Sequence, residues 1–202
     1  MILRFLHGWA LDAGLWARLL PLLPEFDCRT DDRGYFGQPS EIGQGEIAVG
    51  HSFGAMRALA APHGMRALVA INGFDCFAAR EAFLGVPSRV VARMEARFAS
   101  APDAVTADFR ARCGLAHTPP VTCGAVLQGD LAALREADLR GRWSGPVTLL
   151  HAADDPVVPP PMQAAVFAGA HRITIPTGGH LLPLTDPEAC AAAIRQTAQA
   201  LA

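Results

Sequence analysis

The chain has 202 residues, 51 % of them hydrophobic, with 17 basic and 19 acidic side chains, a net charge of −2 and a pI of 6.4. That length holds one well-buried domain and is short for two, and the near-neutral balance argues against nucleic acid as a partner. No apolar run reaches the roughly 18 residues of a membrane span, and Met1–Leu6 leads into a His-Gly turn without a signal pattern, so a cytoplasmic protein is expected. All the basic residues are Arg, which reads as compositional bias. Cys28, Cys76, Cys113, Cys123 and Cys190 are scattered with no C-x-x-C pair, so neither a disulfide framework nor a metal site is expected.

Along the chain, short apolar runs alternate with helical spacing, the pattern of βαβ units around a parallel sheet. The strands are expected at Ile2–Leu6, Cys28–Asp31, Ile47–Val49, Ala67–Ile71, Val147–His151 and Arg172–Ile175. Trp16, Leu19, Leu20 and Leu23 repeat at helical spacing after the first strand. Met56, Leu59 and Ala60 do so after the third, and Met162, Ala165 and Val166 follow the Pro159–Pro161 entry. Asp186-Pro187-Glu188 opens a last helix with a cap residue and a proline at its first position. The connection from Asp32 to Glu46 is rich in Gly, Pro and Gln and too short for a comfortable helical crossover. From Phe74 to about Ser144 the pattern turns wholly helical, with Pro87-Ser88 and Pro102-Asp103 as helix starts. The expected organisation is therefore a core of residues 1–73 and 145–202 with a helical lid, 74–144, inserted between core strands.

The chemistry concentrates at Gly50-His51-Ser52-Phe53-Gly54, a G-x-S-x-G run between a strand and a helix. A Ser on so sharp a turn is strained, and its flanking glycines let neighbouring backbone approach. The turn exposes the hydroxyl and aims the Phe53 amide where an oxyanion would form. A nucleophilic Ser needs a base, a carboxylate to orient it and a second oxyanion donor. His180, in Thr177-Gly178-Gly179-His180 after the last strand, is the only one of seven His with both position and loop chemistry for the base. His51 and His151 are expected near the site in packing roles. Asp154 and Asp155 follow the fifth strand; two adjacent Asp cannot both face one imidazole. Gly8 permits a turn after the first strand that would point the Trp9 amide at the reacting carbonyl. Asp32–Gly37 reads only as a tight turn.

Together these residues resemble the α/β-hydrolase superfamily over nearly the whole chain. A narrower likeness, to the biotin-pathway carboxylesterases that demethylate pimeloyl-acyl-carrier-protein methyl ester, rests on stretches outside the chemistry. These are Leu6–Trp16, Arg66–Val69, Cys76–Arg80, Leu127–Leu131 and Ala137–Arg140. The resemblance implies an α/β-hydrolase fold and a serine esterase with Ser52 as nucleophile, His180 as base and no metal or organic cofactor. It favours Asp155 as the acid, three residues before the Val of a D-x-x-V-P ending, with Asp154 as the alternative. A dehalogenase would need a carboxylate where Ser52 stands, and a non-catalytic binding module would lack a triad member.

The resemblance also implies a lid whose arginines meet an acidic carrier. Arg89, Arg93 and Arg97 fall on one face of the helix after Pro87, with Arg110 and Arg112 on the next; the other reading is a solvated face neutralised by Glu95, Asp103 and Asp108. Three departures stand out: no helix between Gly37 and Ile47, a helix after Ser52 cut short by Pro62, and Ala152 where Gly is common. The first implies thin cover over the sheet, to be completed by the lid or by a second copy in a homodimer.

Overall fold

The computed structural model describes residues 1–41 and 43–202, so Ile42 of the Asp32–Glu46 connection lies outside the described residues. Six parallel strands form one sheet in the order β2-β1-β3-β4-β5-β6: β1 (Ile2–Leu6), β2 (Asp27–Asp31), β3 (Ile47–His51), β4 (Ala67–Ile71), β5 (Val147–Ala152) and β6 (His171–Ile175). β3 and β4 are buried along their whole length, which is why they read as continuous apolar runs rather than alternating ones. The chain winds outward one way from β1 to β2 and the other way from β3 to β6, so a crevice opens beyond the ends of β1 and β3. Leu6 pairs with Gly50 in the register of those two strands, which sets His7-Gly8-Trp9 beside His51-Ser52.

Among the described residues seven α-helices accompany the sheet: α1 (Phe53–Ala60), α2 (Ser88–Phe98), α3 (Pro102–Arg112), α4 (Gly124–Glu136), α5 (Pro160–Ala165), α6 (Leu182–Thr185) and α7 (Pro187–Gln199). α2, α3 and α4 all lie in the single long segment between β4 and β5. α7 begins as its sequence indicates, with Pro187 in the first turn and the Asp186 side chain accepting from the Ala189 amide at 3.1 Å. α1 ends at Ala60, just before Pro62, whose missing N–H cannot continue the ladder.

The run from Trp16 to Leu23 is not an α-helix. It forms two 3₁₀ turns, Ala13–Trp16 and Leu20–Leu22, because Pro21 interrupts it and the Asp12 side chain caps the first turn at the Gly14 amide. Its apolar spacing nevertheless reports burial correctly: Trp16, Leu19 and Leu23 are all in the core, with Trp16 edge-on to Phe5 at 5.1 Å.

Among the described residues the Asp32–Glu46 connection carries no helix, only an antiparallel bridge between Asp32 and Ser40. The space is a cleft of about 400 Å³ whose walls include Arg4, Asp31, Arg57 and, from α4, Asp130 and Ala133. Arg57 pairs with Asp31 at 2.5 Å and Arg4 donates to the Ala61 carbonyl at 2.9 Å, so charged groups line what the sequence suggested would be bare apolar sheet. The large apolar side chains exposed among the described residues are Met1, Leu84 and Val90, none of them in this connection. The face that motivated a second copy thus carries charged groups among its apolar walls and is partly roofed by α4.

Two glycine substitutions test this packing. A Cβ on Gly54 would lie 1.9 Å from the Leu6 carbonyl oxygen, so Gly54→Ala should yield insoluble or grossly destabilised protein. Gly129, exposed in the middle of α4, has nothing within 4 Å of the same position. Gly129→Ala should raise stability by about 0.5–1 kcal/mol in urea unfolding.

Candidate active site

Ser52 joins β3 to α1 with φ +53° and ψ −124°, a conformation rarely held by a residue with a side chain. The contacts around it explain why it is held. A Cβ on Gly50 would meet the Ala55 backbone at 2.6 Å, and one on Gly8 would meet Ser52 Cβ at 2.9 Å. The Ser52 amide donates to the Ile71 carbonyl at 3.0 Å, tying the turn to the end of β4. The loop after β1 is therefore pressed directly against Ser52. Neither the Trp9 nor the Phe53 amide is consumed by a turn, cap or side-chain acceptor among the described residues.

Of the two adjacent carboxylates, Asp155 reaches the imidazole. Its Oδ2 lies 2.8 Å from His180 Nδ1, and its Oδ1 accepts from the Val157 and Val158 amides at 2.7 and 3.1 Å. Burial pushes the Asp155 carboxyl up, but the His180 charge and hydrogen bond and the two amides outweigh it and hold it below the ordinary aspartate value. Asp154 faces the other way, its carboxylate accepting from the Gly178 and Gly179 amides at 3.3 and 2.8 Å. It shapes the loop that carries His180. An ionised Asp155 at Nδ1 fixes the ring proton there and leaves Nε2 as the acceptor. His180 Nε2 is buried and has no hydrogen-bond partner among the described residues.

His51 and His151 do lie beside this pair. The His51 ring stands edge-on to the His180 ring with centroids 4.8 Å apart, and His151 contacts the Gly73 carbonyl at 3.1 Å. Burial lowers both, His51 to about 3, so both are neutral. Asn72, to which the sequence drew no attention, bonds the Gly179 and His180 carbonyls through Nδ2 and the Ala152 amide through Oδ1, each at 2.9 Å. Its place in an Asn72-Gly73 pair directly after an apolar strand was the available clue, and it sits at φ +45°.

Asp32–Gly37 does more than turn. The Arg33 amide donates to His7 Nε2 at 3.1 Å, which places the His7 proton on Nδ1, facing the Gly8 carbonyl at 2.9 Å. The Arg33 guanidinium forks onto Asp130 at 2.6 and 2.8 Å, and Tyr35 donates to the same carboxylate at 2.6 Å. α4 is thereby bolted to the loop beside the site, and Trp9 adds a second bolt through its indole N–H to the Leu127 carbonyl at 2.8 Å.

Between these helices and the core lies a cavity of about 300 Å³ with predominantly apolar walls, including Trp9, Val91, Met94, Phe109 and Leu134, with Arg112 as its one charged residue. Phe109 also touches the His180 ring, at 6.3 Å between centroids. Arg89, Arg93 and Arg97 are all exposed on α2, and Arg97 pairs with Asp108 at 2.5 Å. Arg93, Arg97 and Arg112 border a second cleft of about 280 Å³ that shares Met94 and Phe109 with the first. Arg110 does not join them. It is buried, donating to the Ala10 carbonyl at 3.0 Å and stacking on Phe36, because its helix turns that position toward the β1 loop. Glu95 pairs with Arg135 rather than with the stripe. Among the described residues no group of three metal-ligating side chains gathers.

The sequence model described as the alpha/beta hydrolase family matches residues 5–193. The chain belongs to this family. Relatives include the pimeloyl-[acyl-carrier protein] methyl ester esterase of Edwardsiella ictaluri, 26 % identical with 95 % of this chain and 91 % of that one covered. The protein of the same name from Pectobacterium carotovorum is 25 % identical, covering 98 % and 94 %. Among solved structures, the esterase EaEST from Exiguobacterium antarcticum superposes with a TM-score of 0.78 at 16 % identity, covering 98 % and 92 %. The thermophilic esterase from Thermogutta terrifontis gives 0.74 at 19 %, covering 98 % and 89 %. The six-stranded parallel sheet is thus part of a fold that this chain shares with those structures.

The Arg33–Asp130–Tyr35 cluster yields a stability prediction. Tyr35→Phe removes one buried hydrogen bond to a carboxylate and should lower unfolding free energy by about 1–3 kcal/mol in urea titration. A change below a few tenths would mean that Arg33 alone satisfies Asp130.

Proposed function

We propose that the protein is a serine carboxylesterase in which Ser52 is the nucleophile, His180 the general base and Asp155 the orienting acid. The observation that carries this reading is the buried 2.8 Å bond that His180 Nδ1 donates to Asp155, together with a Ser held at positive φ at the end of β3. Ser52 Oγ attacks the ester carbonyl and its proton passes to His180 Nε2. The amides of Trp9 and Phe53 receive the oxyanion. Collapse of the tetrahedral intermediate expels the alcohol, which takes the proton from His180, and leaves an acyl-Ser52 ester. A water activated by the same imidazole hydrolyses that ester and restores the hydroxyl. No cofactor enters any step.

For the substrate we favour the methyl ester of pimeloyl-[acyl-carrier protein], with residues 74–144 acting as a lid. The relatives' names point there, and the apolar cavity between α2, α3 and the β1 loop suits an unbranched acyl chain. The exposed Arg89, Arg93 and Arg97 then face the acidic carrier, an electrostatic contact that mainly speeds association and weakens with salt. A broad short-chain esterase or thioesterase would use the same residues, and the two are separated by substrate preference.

Ser52→Ala should abolish hydrolysis of p-nitrophenyl butyrate, by on the order of 10³ or more in kcat, while unfolding at the same temperature. Asp155→Asn should cost up to about 10⁴, and Asp154→Asn far less. The reverse ranking would make Asp154 the acid.

Reversing Arg89, Arg93 and Arg97 to Glu should slow turnover of the carrier-bound methyl ester about tenfold or more, equivalent to roughly 1.4 kcal/mol, and leave p-nitrophenyl acetate within about twofold. Failure of the wild-type gene to support growth of a biotin-requiring strain lacking its methyl esterase would favour the broader esterase.

A further inference from the structure

We propose that Asn72 and His51 are positioning residues that hold His180 in register by gripping its own main-chain carbonyl. The inference rests on the reading of Ser52, His180 and Asp155 given above. His180 follows two glycines with φ +148° and +62°, so the loop that delivers it is built from the residues least able to fix their own backbone. The side-chain bond to Asp155 restrains one ring nitrogen and Asp154 holds the two glycine amides, which leaves the carbonyl side of the loop, at Gly179 and His180, still to be held.

The carbonyl of His180 supplies the missing restraint. It accepts from His51 Nε2 at 2.7 Å and from Asn72 Nδ2 at 2.9 Å, while the same Nδ2 reaches the Gly179 carbonyl at 2.9 Å. A carbonyl can only accept, so His51 carries its proton on Nε2. Its Nδ1 is buried without a partner beside Gly8, the turn pressed against Ser52.

Asn72 links the remaining parts. Its amide donates to the Leu150 carbonyl at 2.7 Å and its Oδ1 accepts from the Ala152 amide at 2.9 Å, three residues before Asp155. The residue before it, Ile71, receives the Ser52 amide. The Asn72 side chain thus joins the end of β5, before the acid loop, to the histidine loop, and the backbone beside it, at Ile71, ties in the serine turn. Asn72 is wholly buried and sits at φ +45°, a backbone region that asparagine tolerates better than most residues. His51 is wholly buried too, and its neutrality spares His180 a facing positive charge.

The test compares His51→Phe, which keeps a ring and loses the donor, with His51→Gln, which restores an N–H near Nε2. Asn72→Asp keeps the shape and the Ala152 acceptor but points an oxygen at two carbonyls. Each is assayed with p-nitrophenyl butyrate well below its own unfolding midpoint, alongside Ser52→Ala and labelling by a serine-directed phosphonate. His51→Phe and Asn72→Asp should lose about 10- to 100-fold in kcat with KM within about threefold, as expected for a misplaced base. His51→Gln should recover most of the loss. The double variant His51→Phe/Asn72→Asp should lose less than the product of the singles, because both act on one carbonyl.

Activity within about twofold of wild type in both single variants, with Ser52→Ala inactive, would overturn this inference and leave the esterase reading standing. So would equal losses in His51→Phe and His51→Gln, which would assign the effect to the ring. If His51→Phe does not fold, Asn72→Asp decides the matter by the same kcat criterion. Activity retained in Ser52→Ala would overturn the esterase reading and this inference together.

Discussion

The close approach of the serine turn to the end of β1 is the constraint on which the rest of the site depends. Gly54 leaves no room for a Cβ against the Leu6 carbonyl, Gly50 none against Ala55, and Gly8 none against Ser52 itself. Two backbone segments, Leu6–Gly8 and Gly50–Ala55, meet without room for a further side chain around one residue at φ +53°. Strain of that kind costs on the order of 1–3 kcal/mol and persists only where the surroundings over-determine it. Here they do so with two fully buried central strands, β3 and β4, whose ends carry the turn and its anchor at Ile71. The same contact brings the Trp9 segment to the serine. A rigid sheet end, rather than a loop, sets the geometry.

Electrostatics at the site follow from burial. His7, His51 and His151 all lie inside, and burial lowers each of them, so none competes with His180 for a proton. Each is used instead as a neutral hydrogen-bonding group whose partner is fixed: Gly8 and Arg33 for His7, the His180 carbonyl for His51, Gly73 for His151. Asp155 is the exception among the buried titratable groups packed around His180, kept ionised against its burial by the imidazole it faces and by two amides. A site with one buried carboxylate and one imidazole bound to it can move a single proton without spreading charge over its neighbours.

Much of this was legible in the sequence because it is local. A parallel strand buried on both faces announces itself as an apolar run, and all six strands begin and end within two residues of their expected positions. The serine turn is readable because its glycines are demanded by contacts one and two residues away. Local signals failed where a tertiary partner decides the outcome. The Trp16–Leu23 spacing gave burial but not helix, since Pro21 and the Asp12 cap favour two 3₁₀ turns. Arg110 looked like its neighbour Arg112 until α3 was seen to turn it onto Ala10 and Phe36. Asn72 and the Arg33–Tyr35–Asp130 cluster were invisible because their side-chain partners lie 80 to 108 residues away.

The short chain also explains how the segment between β4 and β5 is held. With no helix in the described part of the Asp32–Glu46 connection, α4 leans over the flank of α1, and its buried carboxylate Asp130 must be satisfied there. Arg33 and Tyr35 satisfy it with three hydrogen bonds, two of them charge-assisted from a planar fork that fixes orientation as well as distance. The Trp9 indole makes a further link from the β1 loop to α4, and its ring packs edge-on against Phe98 of α2 and Phe109 of α3. The walls of the apolar cavity are therefore tied to the residue whose amide is proposed to hold the oxyanion. A shift of α4 would reach Trp9 through the Leu127 carbonyl, which couples the shape of the apolar cavity to the position of the Trp9 amide.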